Sequence, residues 1–235
     1  MILEASGINT YYGTSHILFD VALHMKQGEL VCLLGRNGSG KTTTLRSLMG
    51  LTPPKTGKVL FHGEDLRGRP SDEVARKGIG YVPDNRLIFP DLTVRENLEI
   101  ARKNSEHYTG EPWTVDKVYD SFPPLLKLDK HLGGHLSGGE QQMLTIGRTL
   151  MGNPELILLD EPVEGLAPLI VKDFSEKLIK LKEMGVTILF SEQNIRFSLA
   201  IAERAYVINK GRIEYEGTIE DLSRNEEIKQ KYLMI

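Results

Sequence analysis

The chain has 235 residues, 40% of them hydrophobic and 26% charged, the balance of an ordinary soluble globular protein with room for a sizeable core. Its formal charge of −3 and pI near 6.1 give no electrostatic reason to expect nucleic acid as a partner. No apolar run approaches the roughly eighteen residues needed to span a bilayer, and Met1-Ile2-Leu3-Glu4-Ala5 lacks a basic region, so the chain is expected to lie outside the membrane while remaining free to dock on it.

Short β-type segments are predicted at residues 2–8 and 18–24, with Tyr11-Tyr12-Gly13 turning between them. The apolar run Leu30-Val31-Cys32-Leu33-Leu34 reads as a buried strand, with Cys32 as inert packing suited to a reducing compartment. It leads into Gly35-Arg36-Asn37-Gly38-Ser39-Gly40-Lys41-Thr42, which satisfies the phosphate-loop pattern G-x-x-x-x-G-K-[ST]. Glycines let successive N–H groups turn inward, Lys41 reaches the terminal phosphates of a nucleotide, and the Thr42 hydroxyl can ligate Mg²⁺. A helix opening at Thr43 would aim its positive end at the same phosphates. Residues 35–43 are therefore the candidate ATP site.

Further strands are predicted at 57–61, after Pro53-Pro54, and at 78–82, ended by Pro83. From about 85 to 136 the character becomes helical, with apolar spacing over 93–102 and at Val115, Val118 and Phe122, interrupted by a loop at 104–112. Trp113, in a polar setting beside Pro112, reads as a packing anchor. His131 and His135 are four apart, but Gly133-Gly134 breaks the helix that would align them on a metal. Beyond this stretch, strands at 156–159 and 186–190 alternate with helices at 169–182 and 198–203. A hairpin (206–209 and 212–216) and a charged, solvated helix at 226–231 close the chain. Such alternation predicts an α/β fold with a mostly parallel core sheet and helices on both faces.

Two further motifs carry chemistry. Leu156-Ile157-Leu158-Leu159-Asp160-Glu161 runs four apolar residues into two carboxylates. Asp160 is placed at the strand's C-terminal edge to hold Mg²⁺, and Glu161, one residue further, to polarise the attacking water. In Leu136-Ser137-Gly138-Gly139-Glu140, Ser137 and Glu140 have capping-box spacing, so a helix begins there with two glycines that leave N–H groups open to an anion.

With these motifs in place the chain resembles the nucleotide-binding subunit of ATP-binding-cassette transporters over nearly its whole length. The resemblance implies a P-loop ATPase fold: a RecA-like core, an N-terminal antiparallel β subdomain, and a helical subdomain inserted at about 85–136. It further implies that Tyr12 stacks on adenine, and that Ser137, Gly138, Gly139 and Glu140 contact the nucleotide of a second copy in a head-to-tail pair. Residues near Phe89-Pro90-Asp91-Leu92-Thr93 would meet a membrane permease at the cytoplasmic face of the membrane, with a solute-binding protein acting indirectly. Three positions depart from the general pattern. Asp84 stands where glutamine is usual, Gln193 in place of the switch histidine, and Ala167 where many members carry aspartate. Asp84 is expected on the metal side, and Gln193 to orient phosphate and water without taking a proton, which leaves Glu161 as general base with Lys41 and Gln193 beside it.

Gly-Leu-Ala-Pro at 165–168, Glu192-Gln193-Asn194 and the acidic position 84 together are similar to the smaller ATPase of branched-chain amino-acid importers, although Val163-Glu164 is unusual there. The expected function is ATP hydrolysis driving amino-acid uptake, without the C-terminal regulatory domain of some sugar importers. The ATPase of a lipid or lipopolysaccharide exporter, and a non-hydrolytic ATP-binding switch, are the alternatives. Retention of Glu161 speaks against the switch.

Overall fold

The computed structural model describes residues 1–102 and 110–233. In chain order, strands β1 (Leu3–Tyr12) and β2 (Ser15–Met25) form a hairpin, followed by β3 (Leu30–Leu34) and helix α1 (Lys41–Leu48). Strands β4 (Thr56–Phe61) and β5 (Glu64–Asp65), helix α2 (Ser71–Arg76) and strand β6 (Ile79–Val82) come next. Helices α3 (Val94–Glu99), α4 (Val115–Ser121) and α5 (Pro123–Lys127) precede the long α6 (Gly138–Leu150). The remainder alternates β7 (Leu156–Asp160), α7 (Pro168–Glu183), β8 (Thr187–Glu192), α8 (Ile195–Ile201), β9 (Arg204–Asn209) and β10 (Arg212–Thr218). It ends with α9 (Ile219–Arg224), α10 (Glu226–Ile228) and a wide turn over Lys229–Leu233.

The strands form two sheets. One is antiparallel, in the order β2-β1-β4-β5; the other runs β10-β9-β3-β8-β7-β6 and is parallel except for β10 at its edge. Every residue of β3, β7 and β8 is buried, as strands covered on both faces must be. Their side chains alternate between two cores. Leu30, Cys32, Leu34, Ile157, Leu159, Ile188 and Phe190 face one cluster with residues of α3, α4, α6 and α7. Val31, Leu33, Leu156, Leu158 and Leu189 face the other, with α1 and the antiparallel sheet. Helix α6 approaches α3 and α4 closely because Gly147 has no side chain: a Cβ there would lie 2.7 Å from Val118 Cγ1. Trp113 is buried in the first cluster, and its backbone N–H donates to Asn153 Oδ1 at 2.7 Å.

Four expectations need correction. Tyr11 and Tyr12 belong to β1, whose residue Tyr12 pairs with Ser15, so the turn lies at Gly13-Thr14; strand-favouring aromatics extend the ladder to the last possible residue. The helix expected at 198–203 starts at Ile195, because the Asn194 side chain accepts from Phe197 N and caps it. The helix at 93–102 stops at Glu99, and most of the loop expected at 104–112 lies outside the described residues. The tail expected as a helix at 226–231 is α-helical only to Ile228, in α10, which Asn225 caps, and continues as the wide turn. Glu226, Glu227 and Lys231 are exposed as expected, while Ile228, Tyr232 and Leu233 pack against the core. Among the described residues no helix is long and apolar enough to cross a membrane.

Candidate active site

The parallel register brings the C-terminal ends of β3, β7 and β8 to one edge, with Leu34 opposite Glu192 and Asp160 opposite Ser191. Ligands of open α/β sheets gather at such an edge. The loop after β3 is held tightly. Gly35 N donates to Glu192 O at 3.1 Å, Ser39 N to Arg36 O at 3.1 Å, and Gly211 N to Ser39 O at 2.8 Å. A Cβ on Gly35 would lie 2.5 Å from both Ile208 O and Ser39 Oγ, so only glycine fits there. Gly38 (φ +74°) and Gly40 (φ +112°) turn the chain into α1 through conformations that side chains resist. The Ser39 hydroxyl is buried with no hydrogen-bond partner among the described residues, an oxygen available inside the cradle.

Lys41 Nζ donates to Gly35 O at 2.9 Å and Arg36 O at 3.2 Å, and lies 3.0 Å from Glu161 Oε1. The ammonium is thus aimed along the inside of the loop. Thr42 Oγ1 donates to Asp160 Oδ1 at 3.1 Å. Asp160 is fully buried and also accepts from Ser191 Oγ at 2.6 Å and Tyr81 OH at 3.2 Å. Burial pushes its carboxyl above the usual carboxylate range, and the three hydroxyl donors oppose that shift. A hydroxyl and a carboxylate oxygen side by side are the hard oxygen donors Mg²⁺ takes when phosphates and water complete its shell, so the residues present fit that ion.

Glu161 sits at φ +45°, an uncommon conformation for a non-glycine residue, with its N–H donating to Ser191 O and Ser191 Oγ. A cavity of about 290 Å³ lies over the loop, lined among others by Gly38, Lys41, Thr42, Asp84, Glu161 and Glu164. Glu164 is pushed above the usual carboxylate range, first by the charge of Glu161. Asp84 is exposed at the rim. A second cavity of about 580 Å³ shares Glu161 and Glu164 with the first and is lined by Glu192, Gln193 and α8. Gln193 follows β8, which lies between β3 and β7 in the sheet, and lines this second cavity rather than the first. Beside it, Glu192 is buried; its carboxylate accepts from Val163 N, Gln193 N and Asn194 N, and burial lifts its pKa to about 7 against those three donors.

The remaining candidates lie outside the first cavity. Arg36 turns its side chain to the carbonyls of Tyr232 (3.2 Å) and Lys231 (3.4 Å), so its backbone N–H is what it offers a phosphate. Tyr12 is 46% exposed at the end of β1, a free aromatic face, while Ile17 of β2 lines the cavity itself. Ser137 and Glu140 form the complete capping box: Ser137 N donates to Glu140 Oε2 at 2.7 Å and Glu140 N to Ser137 Oγ at 3.4 Å. The residues that sequence reasoning missed are Ser191, Tyr81, Glu192 and Glu164. Only Ser191 leaves a trace, as a polar residue ending the apolar run of β8.

A family profile described as ABC transporter matches residues 18–164. The chain is 42% identical to the high-affinity branched-chain amino acid transport ATP-binding protein BraG of Pseudomonas aeruginosa, over 99% of both chains. It is 37% identical to the lipopolysaccharide export system ATP-binding protein LptB of Haemophilus influenzae, over 99% of this chain and 97% of the relative. It is 34% identical to the probable branched-chain amino acid transport ATP-binding protein LivF of Archaeoglobus fulgidus, over 97% of both. Among solved structures, the ADP conformation of an ATP-binding cassette of an ABC transporter superposes with a TM-score of 0.82 at 28% identity, covering 97% of both chains. The dimeric structure of a bacterial ABC transporter cassette gives 0.77 at 28% identity, over 92% of this chain and 98% of that one.

Proposed function

Because the chain belongs to the ABC transporter family, as an ATP-hydrolysing subunit of a transporter, we propose that it powers uptake of branched-chain or related amino acids through a separate permease at the cytoplasmic face of the membrane. The observation that carries the catalytic reading is the meeting of Lys41, Thr42, Asp160 and Glu161 within hydrogen-bond distance around one cavity. The N–H groups of residues 35–43 cradle the phosphates, and Lys41 balances their charge. Thr42 and Asp160 would hold Mg²⁺, with Asp84 reaching it through water, and the ion when bound would supply charge neutralisation to the phosphate oxygens. Glu161 accepts the proton of the water that attacks the γ-phosphorus, while the bond to the bridging oxygen breaks and ADP leaves. Gln193 orients that water and phosphate through its amide. Tyr12 stacks on adenine, and Ser137–Glu140 complete the site of a second copy, as the existence of dimeric cassettes supports.

The amino-acid assignment is supported by the 42% and 34% relatives and by the Gly-Leu-Ala-Pro and Glu-Gln-Asn segments. Lipopolysaccharide export is the second reading, favoured by the 37% relative. Uptake of labelled leucine by cells lacking this chain, restored by wild type and not by Glu161→Gln, tests the first. Normal leucine uptake with defective lipopolysaccharide export would support the second.

A further inference from the structure

Arg86 sits where three of these loops meet. Its backbone lies two residues after Asp84, at φ +50°, a left-handed conformation that a long side chain adopts only when held there. Nη2 donates to the carbonyl of Glu164 at 2.8 Å, in the turn that follows Glu161. Nη1 rests on Gly138: a Cβ at that glycine would lie 2.7 Å from it. The Arg86 carbonyl accepts from Thr145 Oγ1 at 3.4 Å, and the next carbonyl, Leu87, accepts from Arg148 Nη2. Both donors belong to α6, so the loop carrying Asp84 and the helix that Ser137 caps are tied at three places. Arg86 Nε is buried with no hydrogen-bond partner among the described residues. A surface arginine would swing that atom into water; this one stays.

We infer that Arg86 is a positioning residue for hydrolysis, fixing the start of the signature helix against the turn that carries Glu161. Its planar fork bonds a carbonyl with one arm while the other fills the space beside Gly138 where a Cβ would stand, which the point charge of lysine cannot do. In a head-to-tail pair, Glu161 serves one nucleotide and Ser137–Glu140 the other. Arg86 then joins the two sites within one chain, and Gly138 is glycine partly to seat it. The inference rests on the reading of Glu161 as the general base.

The test is steady-state phosphate release by the purified chain as a function of ATP, with thermal melting alongside. Arg86→Ala should lower kcat about tenfold and leave the KM for ATP within about twofold. Arg86→Lys, which keeps the charge, should recover at most about half of the rate. Gly138→Ala should slow the wild type, yet add less than about twofold in the Arg86→Ala background, because both changes break one contact. A wild-type rate in Arg86→Ala or Arg86→Lys, losses that multiply in the double variant, or a loss that tracks a lowered melting temperature would each overturn it. Equal phosphate release by wild type and Glu161→Gln would remove the base assignment itself, and this inference with it.

Discussion

Lys41 Nζ lies 3.0 Å from Glu161 Oε1 while donating to the carbonyls of Gly35 and Arg36, so its three protons already have acceptors, two in the loop and one after β7. A phosphate must compete for them, and its gain is the charge-assisted bond. Such bonds contribute about 1.5–3 kcal/mol, so Lys41→Ala should weaken Mg-ATP binding by roughly ten- to a hundred-fold. Calorimetric titration checks this; an affinity within threefold of wild type would show that Lys41 does not reach the phosphates.

Ser191 is the residue that most directly holds the metal side together. It donates to Asp160 Oδ1 at 2.6 Å and accepts from Glu161 N at 3.1 Å, tying the Asp160 carboxylate and the Glu161 backbone to β8. Ser191→Ala leaves buried Asp160 short of one donor, at a cost of about 1–3 kcal/mol of folding stability. It should also raise the Mg²⁺ concentration needed for half-maximal hydrolysis. Urea denaturation and a Mg²⁺ titration measure the two effects, and wild-type values in both would remove Ser191 from the site.

Glu192 makes the chain's stability depend on pH. Its carboxyl is lifted by burial from the ordinary 4.5 to about 7. Between these values the folded state holds a proton that the unfolded chain has released. The stability from this group is therefore full below about pH 4.5, falls as pH rises, and is gone above about pH 7, a swing of about 3 kcal/mol. The difference in unfolding free energy between wild type and Glu192→Gln should fall by about 2–3 kcal/mol from pH 5 to 8. A difference that stays constant over that range would contradict the assignment.

The phosphate loop and Asp160-Glu161 were legible because each is contiguous in sequence and needs only a strand before it. Ser191 and Tyr81 were not, since their approach to Asp160 follows from the register of β8 and β6 against β7, which no local pattern encodes. The parallel core sheet could be read from strand–helix alternation, and its hairpin edge from Lys210-Gly211. The solvated charges of the tail could be read, whereas the packing of Ile228, Tyr232 and Leu233 is a tertiary choice. Nothing in the sequence singles out Arg86; its reach to Glu164 and Gly138 exists only once α6 is docked.

Gln193 lines the second cavity together with Glu161, within the segment whose backbone Glu192 holds. Losing its amide should slow hydrolysis roughly ten- to a hundred-fold in Gln193→Ala. Gln193→His should add a titration to the rate at about pH 6.5, the ordinary histidine range. Rate profiles of wild type and Gln193→His that superimpose between about pH 5.5 and 8 would place residue 193 too far from the reacting phosphate to matter.

We propose that this chain hydrolyses ATP with Glu161 as the base in a site completed by a second copy, and phosphate release and gel filtration of Glu161→Gln with Mg-ATP test both parts together. Glu161→Gln should retain ATP binding, turn over at least about a hundredfold more slowly, and accumulate as a dimer sandwiching two nucleotides that wild type does not accumulate. Turnover equal to wild type, with a monomer at every ATP concentration, would contradict it.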